Sequence, residues 1–218
     1  MDCGRRKLSS GRIWGGEEAE RHSIPWQVAI FRHSIDDWDP KCGGTLISPY
    51  HVLTAAHCVK HQNDCWHYSV GIGMHLGNVS DGTRIKVHHI SNHPAYVYNR
   101  CPNNKNGDII PDFDFSVLHL TDPFTLNSKV QPACLPDSTM NWRLAGKYLT
   151  ISGWGAQNTD RLYKGTIPAV TNFECMRYNN DDKNCSYITS NMLCAGRPKN
   201  QTVSTGRGDS GGSIQCYL

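Results

Sequence analysis

Gly208-Asp209-Ser210-Gly211-Gly212 is the most informative stretch of this chain, because it places a serine between glycines and directly after a carboxylate. Glycines permit a tight turn with unusual backbone dihedrals, which can push a serine hydroxyl into a cleft. They also leave backbone N–H groups uncovered, so that these groups can face a developing negative charge. The motif therefore predicts an exposed nucleophile.

Two further segments contain the partners that such a nucleophile needs. A serine hydroxyl is weakly reactive without an adjacent base, and Leu53-Thr54-Ala55-Ala56-His57-Cys58 offers His57. Asp114 precedes an alternating apolar run, which is typical of a strand that enters a core. Its carboxylate could orient the imidazole. Asp112 is a competing acid that would share a strand face with Asp114.

The three segments occur in the order His, Asp, Ser, and in this they resemble the chymotrypsin-like (trypsin-fold) serine peptidases. The resemblance runs from about Cys3 to Cys216, and a single glycine-serine turn would be far less specific. Further matching blocks are Ile13-Trp14-Gly15-Gly16, Pro25-Trp26-Gln27-Val28, Cys42-Gly43-Gly44-Thr45-Leu46-Ile47, Ser152-Gly153-Trp154-Gly155 and Met192-Leu193-Cys194-Ala195-Gly196. Only Asp114 aligns with the family motif, so we expect Asp112 to be a solvated loop residue.

Short apolar runs separated by Gly, Pro, Asn and Asp clusters predict many short strands and little helix. The resemblance implies an all-β fold of two antiparallel six-stranded β-barrels, the second incomplete at its C-terminal end, with the active site between them. His57 and Asp114 would belong to the first barrel and Ser210 to the second. The implied boundaries are a propeptide at 1–12 and a peptidase domain at 13–218, divided into barrels at 13–125 and 126–218.

The resemblance implies a serine endopeptidase that forms an acyl-enzyme on Ser210, with protein or peptide substrates. His57 would take the hydroxyl proton, and Asp114 would fix the imidazole tautomer. Backbone N–H groups of Gly208 and Ser210 would form the oxyanion hole. The base of the family's substrate pocket lies six residues before the nucleophile, at Ser204. An uncharged base favours apolar or aromatic P1 side chains over Lys or Arg.

Activation by cleavage is also implied. Arg12-Ile13 matches the family's cleavage point, which an activating trypsin-like protease would cut. The freed amine of Ile13 would then turn inward and pair with Asp209, ordering the oxyanion loop. Trp14 departs from the small branched residue that is usual at its position.

Ten cysteines without regular Cys-x-x-Cys pairs indicate disulfides and an oxidising compartment. The pairs that the resemblance implies are Cys42–Cys58, Cys175–Cys194 and Cys3–Cys134, the last of which would keep the propeptide attached. We expect Cys65 and Cys101 to pair as well, because they lie in two insertions that should meet over the cleft. Cys185 and Cys216 either pair with each other or stay free.

The overall composition excludes several function classes. A net charge of +3 is too small to indicate a nucleic-acid partner, and no apolar run reaches the roughly 20 residues that span a bilayer. The expected location is extracellular, with glycan acceptors at Asn78, Asn184 and Asn200. The N-terminal residues carry no apolar signal sequence, so we expect a leader that is missing here.

No cofactor or metal is predicted. His88-His89 would face opposite sides of a strand, and no histidine spacing forms a ligand set. The family's calcium loop uses acids, whereas the corresponding 71–75 segment has none.

The family also continues beyond the position of Leu218, through two strands and a helix. This leaves two alternatives to an endopeptidase: a truncated, non-catalytic homologue that acts as a binding or decoy module, and an unstable fragment. The sequence does not predict the oligomeric state.

Overall fold

The computed structural model describes residues 3–5, 16–33, 40–59, 62–77, 81–100, 109–136, 144–155, 160–178, 188–196 and 203–216. These residues are mostly β-structure. The strands are β1 (Glu17–Glu18), β2 (Gln27–Arg32), β3 (Cys42–Ser48), β4 (His51–Thr54), β5 (Tyr68–Ile72), β6 (Thr83–Asn92), β7 (Val97–Arg100), β8 (Ile109–Asp112), β9 (Ser116–Leu120), β10 (Tyr148–Gly153), β11 (Tyr163–Val170), β12 (Cys194–Ala195) and β13 (Ile214–Gln215). The helical segments are α1 (Asn172–Tyr178) and 3-10 turns at Ala56–Val59 and Gln62–His67. Within the described part, no helix is both long enough and apolar enough to cross a bilayer.

The first half of the chain forms a closed barrel in the order β2-β3-β4-β9-β6-β5. Strand β9 illustrates how the barrel strands are patterned. Ser116, Leu118 and Leu120 are buried, while Val117 and His119 between them are partly exposed. This alternation places one face of the strand in the core and the other towards solvent. The barrel core is apolar and includes Val28, Leu46, Val52, Val70 and Leu118. Closure of the sheet also removes exposed strand edges.

The second half forms an open antiparallel sheet in the order β1-β11-β10-β13, with β12 paired to β11. Its apolar core is smaller, with Ile151, Ile167 and Val203 buried at its centre. Strand β1 joins this sheet through Glu17, which pairs with Lys164. Strand β1 therefore packs on the second half. The predicted all-β, two-barrel fold class is confirmed.

Buried polar contacts join the two halves. The Ser152 hydroxyl on β10 donates to Gln27 Oε1 on β2 at 2.6 Å. The backbone N–H of Gly43 on β3 donates to the Ser210 carbonyl oxygen at 2.7 Å. Buried polar groups are costly unless they are paired, so these bonds fix how the Ser210 segment sits on the first barrel.

The expectation that His88 and His89 face opposite sides of their strand is wrong. Strand β6 has an irregularity where Val87 pairs with Leu120 and His89 pairs with His119. A bulge places two residues opposite one and shifts the alternation of side chains. Both histidines are therefore exposed, between the buried Val87 and Ile90.

Three of the implied disulfides are present: Cys3–Cys134, Cys42–Cys58 and Cys175–Cys194. The predicted Cys65–Cys101 pair is not formed, because Cys65 is a free thiol. Its Sγ lies 3.0 Å from the His88 carbonyl oxygen and donates to it, so the side chain faces the edge of the barrel. Cys101 and Cys185 lie outside the described residues.

Candidate active site

His57 and Asp114 meet at one end of the first barrel. The His57 ring extends from the 3-10 turn after β4, and its Nδ1 lies 2.6 Å from Asp114 Oδ2. The backbone N–H of His57 donates to Asp114 Oδ1 at 2.8 Å. Both carboxylate oxygens thus contact His57. This fixes the orientation of the imidazole and leaves Nε2 for a substrate or nucleophile.

A strained turn directly before Asp114 positions its carboxylate. Phe113, just before Asp114, has a φ of 51°, which is uncommon for a bulky residue. The Phe115 N–H donates to the Phe113 carbonyl oxygen at 2.7 Å. The Phe113 ring stacks on His93 with centroids 4.8 Å apart and planes 7° apart. Strain of this kind persists only where the surrounding structure enforces it, and it clusters at functional sites.

The Asp114 carboxylate is held ionised. Burial acts to raise its pKa, but the hydrogen bonds from the His57 ring and backbone N–H outweigh burial, so the pKa lies below the ordinary 3.8. Nearby Tyr96 shows the opposite shift: burial, followed by repulsion from the Asp114 anion, raises its pKa to about 12. The site therefore contains a stable anion beside a neutral phenol at neutral pH.

Ser210 lies beside the imidazole segment. The sulfur of Cys58 lies 3.6 Å from the Ser210 carbonyl oxygen and 3.8 Å from His57 Nε2. In the described part of the chain, the Ser210 hydroxyl makes no hydrogen bond with the His57 ring. The structure thus places the Ser210 segment next to His57, without a hydrogen bond between the two side chains.

The turn around Ser210 depends on glycine. Gly211 has a φ of 79°, and a Cβ built there would lie 2.2 Å from Thr54 Oγ1. Thr54 in turn donates to the Gly43 carbonyl oxygen at 2.8 Å. Gly208 also has a positive φ, of 102°. A side chain at Gly211 would push the serine turn away from the first barrel, whereas one at Gly208 would meet Gly155.

Asp209, which directly precedes Ser210, is buried. Its Oδ1 accepts from the Gly155 N–H and its Oδ2 accepts from the Gly206 N–H, both at 2.8 Å. Arg12 and Ile13, the expected cleavage point and the expected partner of Asp209, lie outside the described residues. In this structure Asp209 is therefore satisfied by backbone amides.

A cavity of about 180 Å³ opens beside Ser210. Its lining consists of Ile151, Ser152, Thr205, Gly206, Asp209, Ser210, Gly212, Ser213 and Ile214. Its volume is below the roughly 300 Å³ at which small-molecule pockets begin, so it suits a single side chain. Ser204, predicted as the pocket base, is exposed and does not line it. The adjacent Thr205 and Gly206 do so instead.

Asp112 is not the solvated loop residue that was expected. Its Oδ1 accepts from the Thr189 hydroxyl at 3.0 Å and from Asn191 Nδ2 at 3.3 Å. It also accepts from the Phe113 N–H at 2.9 Å. Asp112 therefore ties β8 to a loop of the second half, next to the strained turn. Sequence reasoning missed it because its partners lie more than 75 positions away.

One group at the site has metal-binding side chains, but its chemistry does not fit a metal ion. Cys42, His57 and Cys58 place their ligand atoms within 4.8 Å of one another, the one such group found among the described residues. The two sulfurs are bonded to each other, and metal ligation requires thiolates. The Cys42–Cys58 disulfide instead anchors the backbone next to His57.

Comparison with known proteins agrees with this geometry. Residues 13–217 match the family model described as Trypsin. The chain is 35% identical to Transmembrane protease serine 9 of Rattus norvegicus over 99% of its length, and 32% identical to Complement C1s-1 subcomponent of Mus musculus over 93%. It spans only 19% and 29% of those two proteins. It is also 32% identical to Chymotrypsin-C of Mus musculus, over 95% of this chain and 73% of that protein.

Proposed function

Because the chain belongs to the trypsin family of serine peptidases, we propose that it hydrolyses peptide bonds as an endopeptidase, with Ser210 as the nucleophile. The observation that carries the proposal is the double contact between His57 and Asp114, at 2.6 and 2.8 Å, beside the Ser210 segment. An imidazole held by a carboxylate at Nδ1 can accept a proton at Nε2 and later return it to the leaving amine.

Each step of the reaction has a residue to perform it. His57 removes the proton from the Ser210 hydroxyl as its oxygen attacks the scissile carbonyl. The new bond forms as the carbonyl π bond breaks, and the backbone N–H groups of Gly208 and Ser210 stabilise the oxyanion. His57 then protonates the leaving amine, which departs as the peptide bond breaks. Water, activated by the same base, releases the acyl group and restores Ser210.

Zymogen activation belongs to the same proposal. Cleavage after Arg12 by a trypsin-like protease frees the amine of Ile13, which displaces the backbone partners of Asp209. The present bonds from Gly155 and Gly206 keep that carboxylate occupied in the uncleaved chain. Such a switch would also explain why the Ser210 hydroxyl is not hydrogen-bonded to the His57 ring before cleavage. Catalytic hydrogen bonds often tighten only in the active complex.

The cavity beside Ser210 supports a preference for apolar or aromatic P1 side chains. Ile151 and Ile214 contribute apolar surface, and the one charged residue among the described lining residues is Asp209. Its carboxylate already accepts two backbone hydrogen bonds. An Arg or Lys side chain would therefore gain little from it. Three disulfides also favour an extracellular location.

The test is a peptide library digested by the protein after cleavage at Arg12, with products identified by mass spectrometry. Wild-type protein should cut after Phe, Tyr or Leu, and Ser210→Ala should cut nothing. Preference for Arg at P1 would contradict the specificity, and equal cleavage by Ser210→Ala would contradict the mechanism.

A non-catalytic binding module is the second candidate. The absence of a hydrogen bond between the Ser210 hydroxyl and the His57 ring, within the described residues, is the observation that favours it. A folded, cleaved protein that binds peptides from the library and releases none of them as products would support this alternative.

A further inference from the structure

Three histidines form a row on the outer face of the first barrel, away from the catalytic residues in the fold. They lie at register positions on three neighbouring strands: His51 on β4 pairs with His119 on β9, which pairs with His89 on β6. Residues paired across antiparallel strands have Cα atoms about 4.5–5.5 Å apart. The rings follow the same spacing, with centroids 5.0 Å apart for His51 and His119 and 5.1 Å apart for His119 and His89.

The bulge in β6 is what completes the row. Regular alternation from the buried Val87 would point position 89 into the barrel. The irregularity between Val87 and His89 instead leaves His89 exposed and opposite His119. His88 is also exposed, with its ring 6.3 Å from that of His89.

Serine hydroxyls lie against one ring nitrogen of His51 and one of His119. Ser48 Oγ lies 2.6 Å from His51 Nδ1, and Ser91 Oγ lies 3.0 Å from His119 Nε2. If each serine oxygen accepts the ring N–H, the other ring nitrogen carries the lone pair. Histidine ligands of metals usually donate their second N–H to such a partner, which fixes the tautomer and the ring orientation.

We propose that His51, His89 and His119 form a binding site for Zn²⁺. Neutral imidazole suits zinc, and three nitrogen ligands at about 2 Å with water as the fourth ligand complete a tetrahedral shell. His119 is the central ligand because it neighbours both of the others. The ring nitrogens do not converge within 4.8 Å of one another, so binding requires small shifts of the rings towards a common point.

A purely structural role explains the cluster less well. A lone histidine on a strand is satisfied by one hydrogen bond, and three neighbouring imidazoles gain little from packing beside one another. When protonated, the three rings would repel each other across neighbouring strands. A shared cation that binds the neutral rings removes this conflict.

The experiment is calorimetric titration of the protein with Zn²⁺ alone, at neutral pH and without chelating buffer. Wild-type protein should bind one Zn²⁺ at the row. His119→Gln should weaken binding at least tenfold, and His51→Gln and His89→Gln should each weaken it by several-fold. Ser48→Ala should weaken it by no more than His51→Gln does, because Ser48 acts only by orienting the His51 ring.

His33→Gln is the matched control, because His33 is an exposed histidine that directly follows β2. It should bind Zn²⁺ within twofold of wild type. Cu²⁺ substitution adds an independent readout, since its electron paramagnetic resonance spectrum reports how many nitrogens are coordinated. Three nitrogens are expected in wild type and fewer in His89→Gln.

The proposal is overturned if His119→Gln binds within twofold of wild type, or if only His57→Gln abolishes binding. If His119→Gln fails to fold by circular dichroism, His89→Gln decides the matter, because its side chain is exposed and its loss leaves the core intact. Unchanged affinity and an unchanged copper spectrum in that variant would also overturn it. Failure of peptidase activity would not bear on the result.

Discussion

Substitution of Asp114 by Asn should disable the base without disturbing the fold. Asp114 Oδ1 accepts from the His57 backbone N–H at 2.8 Å, so an asparagine must keep its carbonyl oxygen there. Its NH₂ group then takes the position of Oδ2, 2.6 Å from Nδ1. It donates to that nitrogen and forces the ring proton onto Nε2. The imidazole can then no longer accept the Ser210 proton.

The expected loss in kcat is about 10⁴, as in other triads of this type, or about 5.5 kcal/mol of transition-state stabilisation. The assay is steady-state cleavage of a chromogenic peptide by the protein activated at Arg12. Asp112→Asn is the matched control, since Asp112 lies two positions away but binds Thr189 and Asn191 instead. It should change kcat by less than tenfold. A kcat for Asp114→Asn within tenfold of wild type would refute the tautomer argument.

Two further predictions follow from steric and electrostatic features of the site. Gly211→Ala should lower the unfolding free energy by about 3 kcal/mol, because it adds a clash with Thr54 to the cost of a positive φ. Gly146→Ala, at a φ of 82° with no atom within 4 Å, should lose only about 1 kcal/mol, and equal losses in denaturant titrations would contradict the clash. Tyr96 should ionise near pH 12 by ultraviolet absorbance, with a lower pKa in Asp114→Asn because the neighbouring anion is gone. A Tyr96 pKa near 10 in both proteins would contradict this.

The sequence was sufficient to predict the fold and the disulfides where local pattern and family motif agree. Alternation in Ser116–Leu120 predicted a half-buried strand, and the motif order predicted an all-β fold with His57 and Asp114 on the first barrel. The disulfides that follow the family pattern, such as Cys42–Cys58, are also present. These features are specified by short stretches of sequence, each of which can be recognised without knowing its distant partners.

Features that depend on distant pairing could not be predicted. The Asp112 contacts with Thr189 and Asn191 arise only when β8 meets the second half. The bulge that exposes His89 depends on the register of β6 against β9, and not on the local sequence. Cys65 was assigned a partner from loop proximity alone, whereas its thiol bonds to the His88 carbonyl oxygen.

Covalent labelling with a fluorophosphonate probe tests the nucleophile most directly. After cleavage at Arg12, the probe should modify Ser210 stoichiometrically, as located by peptide mass spectrometry, and His57→Ala should slow labelling by orders of magnitude. Folded, cleaved protein that stays unlabelled, or that is labelled at another residue, would contradict peptide-bond cleavage through Ser210.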